Sequence, residues 1–189
     1  RLTGGEPLLR RDLAACVRAL DALRGEGLER LSMTTNASLL APVAETLAQA
    51  GIDDLNISLD SVDPARFQQM TGRPLAPVLD GIAAAQRAGL PIKLNSVLLR
   101  GDNDREIVAL TEWARARGLA LRFIEYMPLD APGRWQREQV VSEAEILDEL
   151  RARFSVQAVP RSHDPATRYR LDDAYEIGVT LEQLRELTR

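Results

Sequence analysis

The alternation of short aliphatic strands with amphipathic helices, repeated from residue 31 to residue 124, is the feature that most constrains this fold. Apolar runs typical of strands lie at 31–35, 55–59, 92–99 and 121–124. Between them, apolar residues recur at helical spacing. Two strands separated by a helix need a crossover connection, which makes neighbouring strands parallel. The sequence therefore predicts an α/β fold with a largely parallel sheet.

Boundary signals support these helices. The helical segments end at glycines, which are favoured just beyond a helix C-terminus: Gly51, Gly89 and Gly118. Asp63-Pro64 predicts a cap and a first-turn proline. Two pairs with the spacing of a capping box, Asn103 with Glu106 and Ser142 with Glu145, predict two further helix starts.

Polar residues stand where the predicted strands end: Thr34, Ser58, Asn95 and Glu125. In a βα barrel, the carboxyl ends of the strands form the rim of the active site. The same residues also fit simple polar loop starts, and the pattern alone does not separate the two interpretations. No glycine-rich dinucleotide fingerprint follows any strand.

The chain changes character near residue 130. A turn or linker is predicted at 130–133, followed by short alternating strands at 154–159, 168–171 and 175–179 and a final helix at 181–188. We therefore expect two domains, with residues 1–130 carrying the strand–helix alternation and residues 131–189 forming a small α+β extension.

Composition excludes several classes of protein. The 189 residues are 45% hydrophobic and 28% charged, with a net charge of −4, which disfavours a general nucleic-acid binder. No apolar run approaches the ~18 residues of a membrane helix. One cysteine, Cys16, excludes a disulfide framework and fits a cytoplasmic protein. Cys16 is expected in the core, and the lone His163 gives no zinc site.

Five segments together resemble the radical S-adenosylmethionine (SAM) enzymes of the GTP 3',8-cyclase type, over roughly residues 1–179. Each segment is weak alone, and the first also fits a tight turn, but their order and spacing match this branch. They are Arg1-Leu2-Thr3-Gly4-Gly5-Glu6-Pro7, Thr34-Thr35-Asn36, Asn56-Ile57-Ser58-Leu59-Asp60, Lys93-Leu94-Asn95-Ser96-Val97 and Glu125-Tyr126-Met127-Pro128.

The resemblance implies a partial (β/α)6 barrel of the TIM-like radical SAM kind, and a lyase activity in molybdenum cofactor biosynthesis. Such enzymes convert GTP to (8S)-3',8-cyclo-7,8-dihydroguanosine 5'-triphosphate. The implied cofactors are SAM and two [4Fe-4S] clusters, and the cofactors supply the hard chemistry while the protein positions the reactants. The implied partners are GTP, a second copy of the chain and the downstream cyclic pyranopterin monophosphate synthase, with no nucleic acid or membrane.

The resemblance also implies residue roles. Gly5 would hold the amino-acid end of SAM through its backbone, Ser58 would bond the amino-acid part or the ribose, and Met127 would pack on the adenine. Asn36 is a further SAM candidate. Without the resemblance, Ser58 reads as a strand-end hydroxyl and Met127 as a core thioether.

On the substrate side, Arg1, Thr34 and Lys93 match positions that bind GTP in this family. Guanidinium and ammonium groups form charge-assisted hydrogen bonds with phosphate. Arg122 has the same pattern of a cation within an apolar strand and is a weaker candidate. Lys93 and Arg122 also fit the polar face of a strand in which polar and apolar residues alternate.

The sequence departs from the family in its cysteines. The family has CxxxCxxC before the glycine pair and a second cysteine group after residue 178, and neither stands in this chain. Ala37 replaces the family's usual glycine. A cluster needs several thiolates, so no metal ligand and no catalytic residue is assigned, and we expect an inactive fragment. Alternatives are a peptide-modifying maturase and a non-catalytic binding or interaction module on the same barrel.

Overall fold

A computed structural model of the chain describes residues 1–126, 137–160, 166–172 and 174–180. The helices are α1 (Leu13–Asp21), α2 (Ala44–Ala50), α3 (Pro64–Thr71), α4 (Ala76–Arg87), α5 (Ile107–Ala116) and α6 (Glu143–Arg151). The strands are β1 (Ser32–Thr35), β2 (Asp54–Ser58), β3 (Ile92–Leu98), β4 (Ala120–Glu125), β5 (Val156–Ala158), β6 (Thr167–Leu171) and β7 (Tyr175–Thr180). The predicted alternation of strands and helices is confirmed.

The chain divides into two compact units, and β3 contributes residues to both. The first unit comprises residues 1–59 and 71–94, and the second comprises residues 60–70 and 95–189. The predicted domain boundary at residue 130 lies outside the described residues, as do Met127, the turn at 130–133, His163 and the helix at 181–188. The domain division stays a prediction.

In the first unit, β1 and β2 are parallel, with Ser32 beside Asp54 and Thr35 beside Ile57. Strand order in this unit is β1-β2-β3. Its core is aliphatic because one face of the strands packs against apolar helix residues. The buried side chains include Met33, Leu40, Leu47, Leu55, Ile57, Val78, Ile82 and Leu94.

In the second unit, the strand order is β3-β4-β7-β6-β5. Strand β7 is parallel to β4 and antiparallel to β6, and β6 is antiparallel to β5. The expected largely parallel arrangement is therefore joined by an antiparallel set at the C-terminal end. Its core includes Ile107, Leu110, Leu121, Phe123, Leu150, Leu171 and Ile177.

Two of the three predicted helix caps are confirmed. Ser142 and Glu145 form a reciprocal capping box at α6. Asp63 Oδ1 accepts a hydrogen bond of 2.7 Å from the backbone N–H of Arg66 at the start of α3. At the third site the predicted helix start is confirmed, since α5 begins at Ile107, but the capping box is wrong, because neither Asn103 nor Glu106 caps a helix with its side chain.

Asn103 and Glu106 instead connect loops. Asn103 is fully buried, and its Nδ2 donates to the carbonyls of Asp60 (2.7 Å) and Val97 (2.9 Å). Glu106 Oε2 accepts from the hydroxyl of Ser61 at 3.1 Å. Burial decides the outcome, because a buried amide or carboxylate needs partners that a solvent-exposed cap would not provide.

Cys16 does not lie in the core as predicted. It is half-buried at the border of the apolar stripe of α1, whose buried members are Leu13 and Val17. Its thiol donates to the carboxylate of Asp12 at 3.6 Å. At the border of the apolar stripe, the Cys16 thiol can reach the carboxylate of Asp12, whereas the buried residues of the stripe offer it no polar side chain.

Among the described residues, no helix combines the length and the apolar character needed to cross a membrane.

Candidate ligand site at the strand ends

The opening segment runs alongside β1. The N–H of Leu2 donates to the carbonyl of Ser32 at 2.7 Å, and the carbonyl of Leu2 accepts from the N–H of Thr34 at 2.9 Å. This parallel bridge directs the chain to the carboxyl end of β1, where Gly4 has φ +136°. Such a φ strongly favours glycine. An ideal Cβ on Gly5 would meet nothing within 4 Å among the described atoms, so the backbone there is open to a ligand.

Glu6 ties this loop to the turn that follows β1. Its Oε1 accepts hydrogen bonds from the hydroxyl of Thr35 (2.6 Å) and the N–H of Leu8 (3.1 Å). Its Oε2 accepts from the N–H of Asn36 at 2.8 Å. The Glu6 carboxylate therefore connects the loop that contains Leu8 to the turn at Thr35 and Asn36.

The turn after β1 keeps a left-handed residue despite its alanine. Ala37 has φ +60°, and its N–H donates to Thr35 Oγ1 at 3.0 Å. Asn36 Oδ1 accepts from the N–H and the hydroxyl of Ser38, at 2.9 and 2.7 Å. The departure from the family's glycine at position 37 thus leaves the backbone in a conformation that glycine adopts readily.

Three adjacent strands place Thr34, Asn56 and Lys93 in one row. Thr34 lies directly beside Asn56 in the β1–β2 register. The N–H of Leu55 donates to the carbonyl of Pro91 at 2.9 Å, which in parallel pairing sets Asn56 beside Lys93. All three side chains are half-buried, and they share one face because side chains alternate along a strand.

This face contains an unsatisfied polar atom. Thr34 Oγ1 is buried and has no hydrogen-bond partner among the described residues. Buried hydroxyls are almost always bonded, so an exception calls for an explanation. Ser58, two residues beyond Asn56 on the same face, is exposed. An unsatisfied hydroxyl, an exposed hydroxyl and a cation on this face of the first unit's sheet fit a polar, anionic ligand.

Arg1 belongs to the same face but to a different row. Because Leu2 lies beside Met33, strand alternation places Arg1 next to Ser32 and one row away from Thr34. Arg1 is exposed. The structure therefore brings Arg1, Thr34, Asn36, Ser58 and Lys93 into one unit with Gly5, whereas Met127 lies outside the described residues.

The second unit carries the remaining strand-end polar groups. Asp60 Oδ1 accepts from the N–H of Val97 at 2.8 Å. Burial raises the pKa of Asp60 to about 6, although this hydrogen bond acts in the opposite direction. In the part of the chain that the structure describes, the buried Asn95 Oδ1 has no hydrogen-bond partner. Arg122 is half-buried and lies across Gly178, where an added Cβ would be 3.5 Å from its Nε.

Neither unit offers ligands for an iron–sulfur cluster. A cluster takes three or four thiolates, and the sequence has only Cys16. Within the described ranges, no group of three or more His, Cys, Asp or Glu side chains could hold a metal ion. The residues present do not fit a cluster.

A surface cavity in the first unit lies away from this face. It measures about 500 Å³ and is lined by Ala41, Ala44, Glu45, Ala48, Gln49, Ala84, Arg87 and Ala88 of the α2 and α4 region. None of these residues belongs to the strand-end row. The candidate site is defined by strand register and polar groups.

Sequence reasoning missed two residues of the site. The sequence motif assigns Glu6 no role of its own, although a carboxylate beside two glycines must find donors when its loop is half-buried. It also assigns no role to Asn56. Its position two residues before Ser58 places it on the same strand face, which was the available signal.

The sequence profile described as the radical SAM superfamily matches residues 1–114. Three curated relatives carry the name GTP 3',8-cyclase. The protein of Erythrobacter litoralis is 46% identical over 82% of this chain and 47% of its own length. That of Paenarthrobacter nicotinovorans is 47% identical (89% and 48%), and that of Streptomyces coelicolor is 44% identical (95% and 54%). The chain spans about half the length of these relatives.

Two solved structures resemble the fold. A domain of pyruvate-formate lyase-activating enzyme from Bacteroides vulgatus has a TM-score of 0.62 at 18% identity, covering 79% of this chain and 89% of that chain. A radical SAM methyltransferase from Sphaerobacter thermophilus has a TM-score of 0.59 at 22% identity, covering 77% and 44%. At these identities the likeness shows the fold alone, and it confirms the predicted fold class.

Proposed function

The chain belongs to the radical SAM superfamily, and on this premise we propose that it carries SAM- and GTP-facing residues of a GTP 3',8-cyclase. The proposed reaction converts GTP to (8S)-3',8-cyclo-7,8-dihydroguanosine 5'-triphosphate in molybdenum cofactor biosynthesis. The curated relatives with that name, at 44–47% identity, support the assignment. The row formed by Thr34, Asn56 and Lys93 is the observation that carries it, because it places a cation beside two polar side chains on one face of the sheet.

We assign the triphosphate to Lys93 in the first instance. Lys93 is the one lysine in the sequence, where every other basic side chain apart from His163 is an arginine. An ammonium is a compact point charge that binds phosphate without the bidentate geometry of a guanidinium. Arg1 on the same face, and Arg122 in the second unit, are further candidates. Thr34 and Asn56 supply polar contacts beside Lys93.

We assign the amino-acid part of SAM to the open backbone at Gly5, with Asn36 and Ser58 as polar contacts and Met127 as the adenine contact. When reduced by an iron–sulfur cluster, SAM supplies the deoxyadenosyl radical of this superfamily. The open approach to Gly5 and the exposed Ser58 support this assignment. The work of these residues is to bind and orient the cofactor.

The cluster ligands are not residues of this chain, whose lone Cys16 donates to Asp12. The radical SAM superfamily implies a [4Fe-4S] cluster, and a second cluster is proposed for this branch. A second copy of the chain and the cyclic pyranopterin monophosphate synthase are proposed partners. The absence of a thiolate set favours, as a second candidate, a non-catalytic binding module for the 189 residues taken alone.

A labelling experiment tests the proposal. Reductive methylation with ¹³C-formaldehyde marks two kinds of amine, the Lys93 side chain and the α-amino group of Arg1, and NMR resolves the two signals. We expect GTP to slow the methylation of Lys93. Equal rates at Lys93 with and without saturating GTP would contradict its assignment to the triphosphate, and the absence of any GTP binding would overturn the proposed substrate. A peptide substrate, rather than GTP, protecting Lys93 would favour the peptide-modifying alternative.

A further inference from the structure

The carboxylate of Glu6 stands between the two loops that the proposed function assigns to SAM. On one side it closes the turn after Gly4 and Gly5 by accepting from the N–H of Leu8 at 3.1 Å. On the other side it accepts from Thr35 and Asn36 at 2.6 and 2.8 Å. These contacts join segments about 30 residues apart along the chain.

These contacts engage both oxygens of the carboxylate. Oε1 accepts two hydrogen bonds and Oε2 accepts one. Hydrogen bonds to a charged group are stronger than neutral ones. Thr35 is buried, and its hydroxyl also accepts from the N–H of Ala37 at 3.0 Å. The Thr35 hydroxyl therefore connects Glu6 to Ala37, the residue of the turn with left-handed φ.

The far side of this turn is fixed as well. The helix α4 backbone at Gly81 lies against the carbonyl of Ala37, with no room for a side chain. The turn therefore rests against α4 on one side and is held by Glu6 on the other. With the backing helix in place, the length and charge of one carboxylate set how the turn and the glycine loop are spaced.

We infer that Glu6 is a positioning residue, which fixes the backbone at Gly4–Gly5 and the turn at Thr35–Asn36 in the spacing that the SAM amino-acid group requires. This inference rests on the proposed function. It assigns Glu6 no contact with the cofactor, because its oxygens are engaged within the protein.

Loss of the Glu6 carboxylate is predicted to affect the binding of SAM and not the binding of GTP. Loss of the connection lets the glycine loop and the turn move apart, so SAM binding weakens. The row at Thr34, Asn56 and Lys93 is set by strand pairing and not by Glu6, so GTP binding is retained. Glu6→Gln keeps an acceptor for Thr35 and Leu8 but presents an NH₂ group to the N–H of Asn36. It should therefore fall between the wild type and Glu6→Ala.

The test uses the complete gene product that carries this chain, reconstituted anaerobically, with Kd for SAM and for GTP measured separately by equilibrium dialysis. Glu6→Ala is expected to weaken SAM binding by about 10- to 100-fold and to leave GTP binding within about twofold. Glu45→Ala is the matched control, because Glu45 is an exposed glutamate of the same unit whose partner is Gln49. It should change neither constant.

Two conservative variants of Thr35 distinguish the loss of this hydrogen bond from a general folding defect. Thr35→Val keeps the shape of the side chain and removes the hydroxyl, whereas Thr35→Ser keeps the hydroxyl. SAM affinity should fall in the first and be retained in the second. Amide hydrogen exchange supplies a ligand-free readout, in which Asn36 loses protection in Glu6→Ala and keeps it in Glu45→Ala.

The outcomes are distinguishable. Unchanged SAM affinity in both Glu6→Ala and Thr35→Val, with a wild type that binds SAM, overturns the positioning role alone. Equal losses of SAM and GTP affinity also overturn it, since they indicate general damage. A wild type that binds no SAM overturns the proposed function, and the positioning role with it.

Discussion

Gly81 and Ala37 are in direct backbone contact: a Cβ placed on Gly81 of helix α4 would overlap the carbonyl oxygen of Ala37. This contact sets α4 against the turn that follows β1. Glycine within a helix is normally unfavourable by about 1 kcal/mol relative to alanine. Replacing Gly81 by alanine would therefore gain helix propensity but would place its Cβ against the carbonyl oxygen of Ala37.

We predict that Gly81→Ala is destabilising despite its higher helix propensity. Overpacking against backbone costs about 1–3 kcal/mol, because the carbonyl cannot move aside as a flexible side chain could. Urea unfolding measures the change, and Asp80→Ala, at an exposed position of α4, is the control with an expected change within about 0.5 kcal/mol. A more stable Gly81→Ala protein would show that the contact is loose in solution.

Arg24 joins three groups at the beginning of the first unit's strands. Its guanidinium contacts Asp21 (2.5 Å), the carbonyl of Gly51 (2.9 Å) and Asp53 (2.9 Å), and Asp53 also accepts from the N–H of Leu31 (2.5 Å). The hydrogen bond from the N–H of Leu31 lowers the pKa of Asp53, and the hydrogen bond from Arg24 lowers it further, although burial opposes the change.

Removing Arg24 should therefore cost more than removing an arginine from a simple surface pair. We expect Arg24→Ala to lower the free energy of unfolding clearly more than Arg10→Ala does, because several hydrogen bonds to one guanidinium are lost together. Arg10→Ala is the control, because Arg10 and Asp12 form a pair with side chains 61% and 60% exposed, and exposed pairs contribute about 0–1 kcal/mol. Equal losses in the two variants would contradict the account.

Asp60 should make stability depend on pH in an unusual direction. Its folded pKa of about 6 lies above the ordinary value near 3.9, so the folded state binds the proton more tightly than the unfolded state. The resulting stabilisation, about 3 kcal/mol, is fully present below about pH 4 and is lost as the pH rises through about 6.

Asp60→Asn keeps an acceptor for the N–H of Val97 and cannot ionise. We expect it to be more stable than the wild type at pH 7–8, with the difference shrinking toward pH 4. Chemical denaturation at pH 4, 5, 6, 7 and 8 measures both proteins, and Asp80→Asn controls for the loss of an exposed charge. A pH-independent difference between Asp60→Asn and the wild type would contradict the raised pKa.

Strand and helix placement could be predicted because it depends on local periodicity. The strands at 32–35 and 92–98 follow directly from alternating apolar residues. The parallel pairing of β7 with β4 could not be predicted, because it joins Leu121 to Ile177, which are more than 50 residues apart in sequence. Asn103 and Glu106 were misread for a similar reason: their partners Asp60 and Ser61 are distant in sequence.

The candidate site shows the same division. The family resemblance indicates Gly5, Ser58 and Lys93, and their roles stay predictions. The connection through Glu6 could not be read from sequence, since it requires knowing that Asn36 returns to the opening loop. The burial of Thr34 Oγ1 without a partner likewise depends on packing rather than on local pattern.

Lys93→Ala in the complete gene product should weaken GTP binding and leave SAM binding unchanged. Loss of one charge-assisted hydrogen bond corresponds to about 10- to 100-fold in affinity. Titrations of both ligands into both proteins measure the effect. Arg87→Ala, an exposed cation of the same unit, is the control for a general loss of positive charge. Unchanged GTP affinity in Lys93→Ala would remove Lys93 from the proposed phosphate contacts.

The most direct measurement of the proposed function compares the complete gene product with these 189 residues alone. Both are treated anaerobically with iron and sulfide, reduced with dithionite, and incubated with SAM and GTP. The complete product should form 5'-deoxyadenosine and (8S)-3',8-cyclo-7,8-dihydroguanosine 5'-triphosphate. The chain alone should form neither, because Cys16 is its one thiol. A complete product that cleaves SAM without consuming GTP, or a 189-residue chain that forms 5'-deoxyadenosine above a protein-free control, would contradict the account.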